Sequence, residues 1–127
     1  MKKLLFSIFA LIAFAGFAYA AGPLSGPYEV TDMRFYRSGQ DITQENADYL
    51  PDNLGQMVMI EQYDNTIIFN PAKGGKIVAF KTGENRYELE EDEAKMVFVF
   101  SGTKCTITAP WNGSGTITCK MTLRKLH

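Results

Sequence analysis

The chain has 127 residues, with 13 lysines and arginines against 14 aspartates and glutamates, one histidine and two cysteines. Setting aside Lys2 and Lys3 leaves 11 basic against 14 acidic residues, a net charge of −3, which excludes the basic surface that binding to a phosphate backbone requires. The roughly 107 residues beyond the first twenty are enough for one domain, with little core to spare.

In chain order, residues 1–20 have the three parts of a secretory signal: Lys2 and Lys3, an apolar run from Leu4 to about Phe17, and the small-residue stop Ala18-Tyr19-Ala20. Cleavage is expected before Ala21. The run is shorter than the ~20 apolar residues of a spanning helix, and no cysteine near the cut offers itself for lipid attachment. Residues 21–127 are therefore expected to act as one domain in the periplasm or outside the cell, with no membrane anchor.

Short apolar strands then alternate with turn residues every eight to twelve positions, the spacing of a sandwich or barrel. The first strand, Tyr28 to Arg37, changes parity midway: Tyr28 and Val30 agree, then Met33 and Phe35 take over, as a β-bulge would arrange. The polar connection Ser38 to Gly55 follows, the longest in the chain. Asp41-Ile42-Thr43-Gln44 has capping-box spacing and Pro51 closes a short helix expected at 43–50. Long connections in compact domains are usually lids or disorder.

Gln56 to Tyr63 turns at Asp64-Asn65 into Thr66 to Asn70, with Met57 and Met59 competing against Val58 and Ile60 for the inward face. Four further turns then fix a register. A loop at Pro71 to Gly74 sets Ile67 beside Val78, and Thr82 to Asn85 sets Phe80 opposite Tyr87. The acidic turn sets Glu90 opposite Lys95, and Ser101-Gly102 sets Phe98 opposite Cys105. The outer face would then gather Ile68, Ile77, Ala79, Val97 and Val99, a binding surface if exposed. Eight strands in meander order predict an all-β, eight-stranded, antiparallel up-and-down barrel, because closure removes the open edges; a sandwich is the alternative.

The last hairpin carries the cysteines. A turn centred on Asn112 places Cys105 opposite Cys119 and Ile107 opposite Ile117. In an oxidising compartment an even cysteine count favours a disulfide, expected to contribute ~3 kcal/mol.

Gly26-Pro27-Tyr28 opening a bulged strand, then a long connection and a seven-strand meander, resembles the calycin group and within it small bacterial lipocalin-like proteins. Tyr28 stands where that family has tryptophan, and the resemblance implies a covering basic side chain, Arg124 or Lys125. It also implies a small apolar ligand in the barrel. A second resemblance is to periplasmic lysozyme inhibitors, small exported barrels whose reactive loop reads Ser-Gly-x-x-Tyr. Ser38-Gly39-Gln40-Asp41-Ile42 and Ser101-Gly102-Thr103-Lys104-Cys105 keep the Ser-Gly but not the tyrosine.

Catalytic chemistry is poorly supplied. A serine or cysteine nucleophile wants a base, and the single histidine is the last residue, His127. No His, Cys or carboxylate spacing suits a metal, and the run Glu88, Glu90, Glu91, Asp92, Glu93 reads as an outward strand face and a solvated turn rather than a calcium site. No enzyme activity and no cofactor is expected. Phe69, Phe80, Tyr87, Phe98 and Phe100 are the candidate ligand-lining rings, with plain core as their other role. Trp111 and Asn112, at a loop tip, are the candidate partner contacts. The reading is a non-catalytic carrier of a small apolar molecule, or alternatively an inhibitor or interaction protein acting on an extracytoplasmic protein.

Overall fold

A computed structural model of the chain describes residues 22–72, 74–91, 94–111 and 116–126. The expected leader and the expectations for Asn112 and His127 lie outside those residues. The strands are β1 (Gly26–Arg37), β2 (Gln40–Asp41), β3 (Met57–Gln62), β4 (Thr66–Pro71), β5 (Ile77–Gly83), β6 (Arg86–Glu91), β7 (Ala94–Ser101), β8 (Lys104–Pro110) and β9 (Ile117–Lys125). From β3 to β9 each strand pairs antiparallel with the next, and β1 pairs with both β3 and β9. Among the described residues, all strands but the two-residue β2 thus close into an eight-stranded antiparallel barrel, an architecture consistent with a calycin-like fold.

The bulge falls where the parity change puts it. Val30 pairs with Leu123 and Asp32 with Thr122, so Thr31 is the extra residue. Tyr28 and Val30 face inward before it, Met33 and Phe35 after it, all buried. The bend also ends the pairing with β3, which runs only from Gly26↔Ile60 to Glu29↔Met57. Beyond the bulge β1 keeps β9 on one side and takes up β2 on the other.

The long connection is a cover, built differently from the single helix expected over 43–50. A 3₁₀ helix runs from Thr43 to Tyr49, with non-helical backbone at Asn46, and a one-turn α-helix, α1, from Leu50 to Asn53. Pro51 starts that turn rather than ending a helix, because its missing N–H is no loss in the first turn. The capping box does not form. Asp41 is still held in β2 opposite Tyr36, one residue too early, and its carboxylate instead accepts bonds from the backbone N–H and hydroxyl of Thr43.

Two registers agree with expectation: the Asp64-Asn65 hairpin, and β6 with β7, where Tyr87 faces Phe98 and Glu90 faces Lys95. The others are corrected. Phe98 faces Ile107 and Phe100 faces Cys105, because the turn sits at Gly102-Thr103, with Gly102 at φ +60°. On β5 the facing is reversed: Ile67 pairs with Ala79, Thr66 with Phe80, and a second bulge between Lys81 and Gly83 absorbs the odd residue. Ile77 to Phe80 are four apolar residues in a row, so alternation could not choose between faces. Ala79 is buried in the core, Ile77 packs against it, and Phe80 points outward, 55% exposed. The outer patch therefore loses Ile77 and Ala79.

The core falls into two clusters. The larger holds Tyr28, Ile60, Ile67, Phe69, Tyr87, Phe98, Phe100, Cys105 and Leu123 among others. The smaller joins Met33, Phe35, Ile42 and Cys119, with Leu50 and Ile117 beside them, beneath the helical cover.

Candidate functional site

One end of the barrel is closed by residues 22–25. The Leu24 carbonyl accepts the Tyr28 hydroxyl at 2.7 Å, and the Leu24 N–H donates to the Gln62 carboxamide oxygen at 2.9 Å. The Gln62 amide nitrogen donates to the Tyr87 hydroxyl at 3.1 Å, and the Gln62 backbone N–H to Ser25 Oγ at 2.8 Å. Gly22 passes so close that a Cβ there would strike the Gln62 side chain. Of the two basic residues that the lipocalin resemblance offers, Lys125 faces Tyr28 and reaches the Pro23 carbonyl at 2.6 Å, whereas Arg124 faces Glu29. Buried polar groups that each find a partner stabilise such a closure.

The interior is occupied by the rings expected to line it. Tyr87 and Phe98 are fully buried, with Phe69 and Phe100 nearly so. Tyr87 and Phe100 meet edge-on at 5.9 Å, Phe69 and Phe98 at 5.5 Å, and Tyr28 and Phe100 at 6.2 Å. Phe80 is not among them: it stands on the outer wall opposite Glu88.

The expected disulfide is overturned. Cys105 faces Leu123 and Cys119 faces Ala109, and both cysteines are free and buried. Four residues of strand separate the two levels, ~13 Å at the usual rise, against a bridging limit of about 7 Å between Cα atoms. The register differs by four residues from the one expected because Pro110 stays in the strand opposite Thr118 and the Trp111 backbone N–H bonds to the Ile117 carbonyl at 2.8 Å. Burial pushes the Cys105 thiol up to about 12 and the Cys119 thiol to about 11, so neither is a ready thiolate nucleophile. Burial, with the Cys105 thiol adding to it, also raises the Tyr28 hydroxyl to about 12.

The other end of the barrel carries an aromatic trio. Trp111 packs edge-on against Phe35 at 4.9 Å and against Tyr49 at 5.1 Å. Phe35 is fully buried, while Tyr49 is 47% and Trp111 38% exposed. Trp111 therefore both folds back over the barrel end and faces solvent. Tyr49 went unnoticed in the sequence because it sits in a polar stretch with no periodicity of its own. What holds it is Phe35: the Phe35 N–H donates to Thr43 Oγ at 3.1 Å and the Phe35 carbonyl accepts the Ile42 N–H at 2.7 Å, pinning the cover to β1. Hydrogen bonds from the hydroxyl and then the backbone of Thr43 lower the Asp41 carboxyl below its ordinary range.

The two Ser-Gly segments lie at hairpins, with the turns at Ser38-Gly39 and Gly102-Thr103. Ser38 and Gly39 both have positive φ, the conformation of a tight two-residue turn, and Ile42 after them is buried. Ser101-Gly102 leads into buried Cys105. Neither segment projects a reactive side chain at its fifth position.

Among the described residues there is no group of three metal-ligating side chains. Glu88 is a surface strut: hydrogen bonds from Arg86, then Lys95 and Thr82, bring its carboxyl down to about 2. A last feature is a recess of about 140 Å³ between β1, β3 and α1, lined by Val30, Val58, Phe69 and Met121 at its floor.

Compared with models of protein families and with curated proteins, the chain matches none.

Proposed function

We infer that this chain is an exported, non-catalytic binding protein that engages another extracytoplasmic protein through the Tyr49–Trp111 end of its barrel. The observation that carries the reading is the ring pair itself. Two large aromatic side chains stay substantially exposed while braced against each other and against buried Phe35. Tryptophan and tyrosine are the residues that most often dominate interface energy, and rings already held in place lose little freedom on binding. The leader-like residues 1–20 support action outside the cytoplasm.

A lipocalin-like carrier would hold its ligand where Tyr87 now meets Phe100 and Phe69 meets Phe98. Recognised ligand chambers are ~300 Å³ or more, and the interior rings take that room. The raised thiols and the missing base argue against a catalytic role.

The test uses immobilised exported protein in three forms: unaltered, Tyr49→Ser with Trp111→Ser, and Val99→Ser on the far wall. Each is exposed to the extracytoplasmic fraction of the producing organism. One protein retained by the first and third forms and lost by the second supports the reading. Retention unaffected by the double substitution, or no retained protein, together with a small molecule seen by native mass spectrometry, returns the function to a carrier.

A further inference from the structure

We propose that the recess between β1 and β3 is a binding site for a small primary amine with an apolar body. This site does not include the exposed rings of Tyr49 and Trp111, and it does not rest on their proposed role.

The recess lies beside the bulge at Thr31, where the pairing of β1 with β3 ends. That strand pairing stops at Glu29, and the chain entering β3 still holds Val30 in register: the Gly55 N–H donates to the Val30 carbonyl at 2.9 Å, and the Val30 N–H to the Gln56 carbonyl at 3.0 Å. The space left is about 140 Å³, floored by Val30, Val58, Phe69 and Met121 and walled by Met57, Pro71 and Ala72. An apolar cavity of ~150 Å³ holds one benzene ring, so the body of the ligand is a single ring or a short aliphatic group.

The rim decides the head group. It consists of Asp52, Asn53 and Gln56. The Asn53 amide nitrogen donates to the Tyr49 carbonyl at 2.7 Å, and the Gln56 amide nitrogen donates to the Asp52 carbonyl at 3.1 Å. A carbonyl can only accept, so both carboxamides are fixed with nitrogen toward the helix, and each has its oxygen and a second N–H beyond that bond. Among the described residues no salt bridge reaches the Asp52 carboxylate. The rim therefore offers two carboxamides and one negative charge, that of Asp52, around an apolar floor. An ammonium supplies three donors and the opposite charge, and hydrogen bonds to it are charge-assisted. A carboxylate head would be repelled by the Asp52 carboxylate on the same rim.

The test is a titration of the purified exported protein with benzylamine, toluene and benzoate, read from backbone amide NMR shifts. Benzylamine is expected to shift Val30, Gln56, Val58 and Met121 and to bind about tenfold tighter than toluene, with benzoate silent. Asp52→Asn should remove most of that tenfold advantage and leave toluene binding unchanged. Ala72→Phe, a substitution at an exposed wall position, should abolish binding of both. Benzoate binding as well as benzylamine, shifts elsewhere on the barrel, no binding at all, or indifference to both substitutions overturns the proposal.

Discussion

Cys105 and Cys119 lie on neighbouring strands four residues out of step, Cys105 against Leu123 and Cys119 against Ala109. Both side chains are buried, in different clusters. Protein purified without reductant is therefore expected to give two thiols to a maleimide in denaturant and essentially none when native. A mass two units below that of the dithiol, with nothing to alkylate after unfolding, would contradict the register of β8 and β9.

The same burial sets an alkaline limit. Folding raises Cys105 from its ordinary 9.0 to about 12, Cys119 to about 11, and Tyr28 from 10.0 to about 12. Between pH 9 and 12 the unfolded chain holds fewer protons than the folded one, so stability is complete below pH 9 and falls as pH rises toward 12. The loss for Cys105 alone is ~1.4 kcal/mol per pH unit. Denaturant midpoints at pH 8, 9.5 and 11 measure it, and Cys105→Ala should flatten the slope while lowering stability throughout.

Thr43 is the rivet between the cover and β1. Its hydroxyl accepts the Phe35 N–H and donates to Asp41. Thr43→Val keeps the shape, strands that buried N–H, and should cost ~1–3 kcal/mol. The Asp41 carboxyl should rise toward its ordinary value, since Thr43 supplies the largest contributions to its lowering. Carboxyl titration by NMR checks this independently of stability. An unmoved Asp41 would mean the contact does not persist in solution.

Trp111 is the chain's single tryptophan, so its fluorescence reports one place. Tyr49→Ala removes one of its two ring neighbours and should shift emission to the red. The accompanying loss of stability should be ~0.5–1.5 kcal/mol, the value of one aromatic pair. Phe35→Ala removes the buried floor and should cost ~3–5 kcal/mol. Equal costs for the two would make Tyr49 a core residue rather than part of an exposed face.

Much of the fold was legible because side chains on a strand alternate strictly. That alternation marks the strands, dates the bulge to the residues between Val30 and Met33, and, with the Glu90–Lys95 turn, sets β6 against β7. Its limit is equally physical. A period of two fixes which face a residue takes but not which neighbour it meets, so any even slip leaves the pattern intact. The β7–β8 and β8–β9 registers slipped evenly, and the disulfide expectation failed with the latter. Where apolar residues run together, as from Ile77 to Phe80, even the face was unreadable, and only the Lys81–Gly83 bulge and the neighbouring strands decided it.

The amino-acid order by itself determined an all-β chain with a kinked first strand and a long polar connection. Only the tertiary structure decided what those parts make together: the trio of Phe35, Tyr49 and Trp111, and the recess that draws on β1, the helical cover, β3, β4 and β9. Such groupings are contacts between distant segments, and they exist only once barrel closure has brought β9 back to β1.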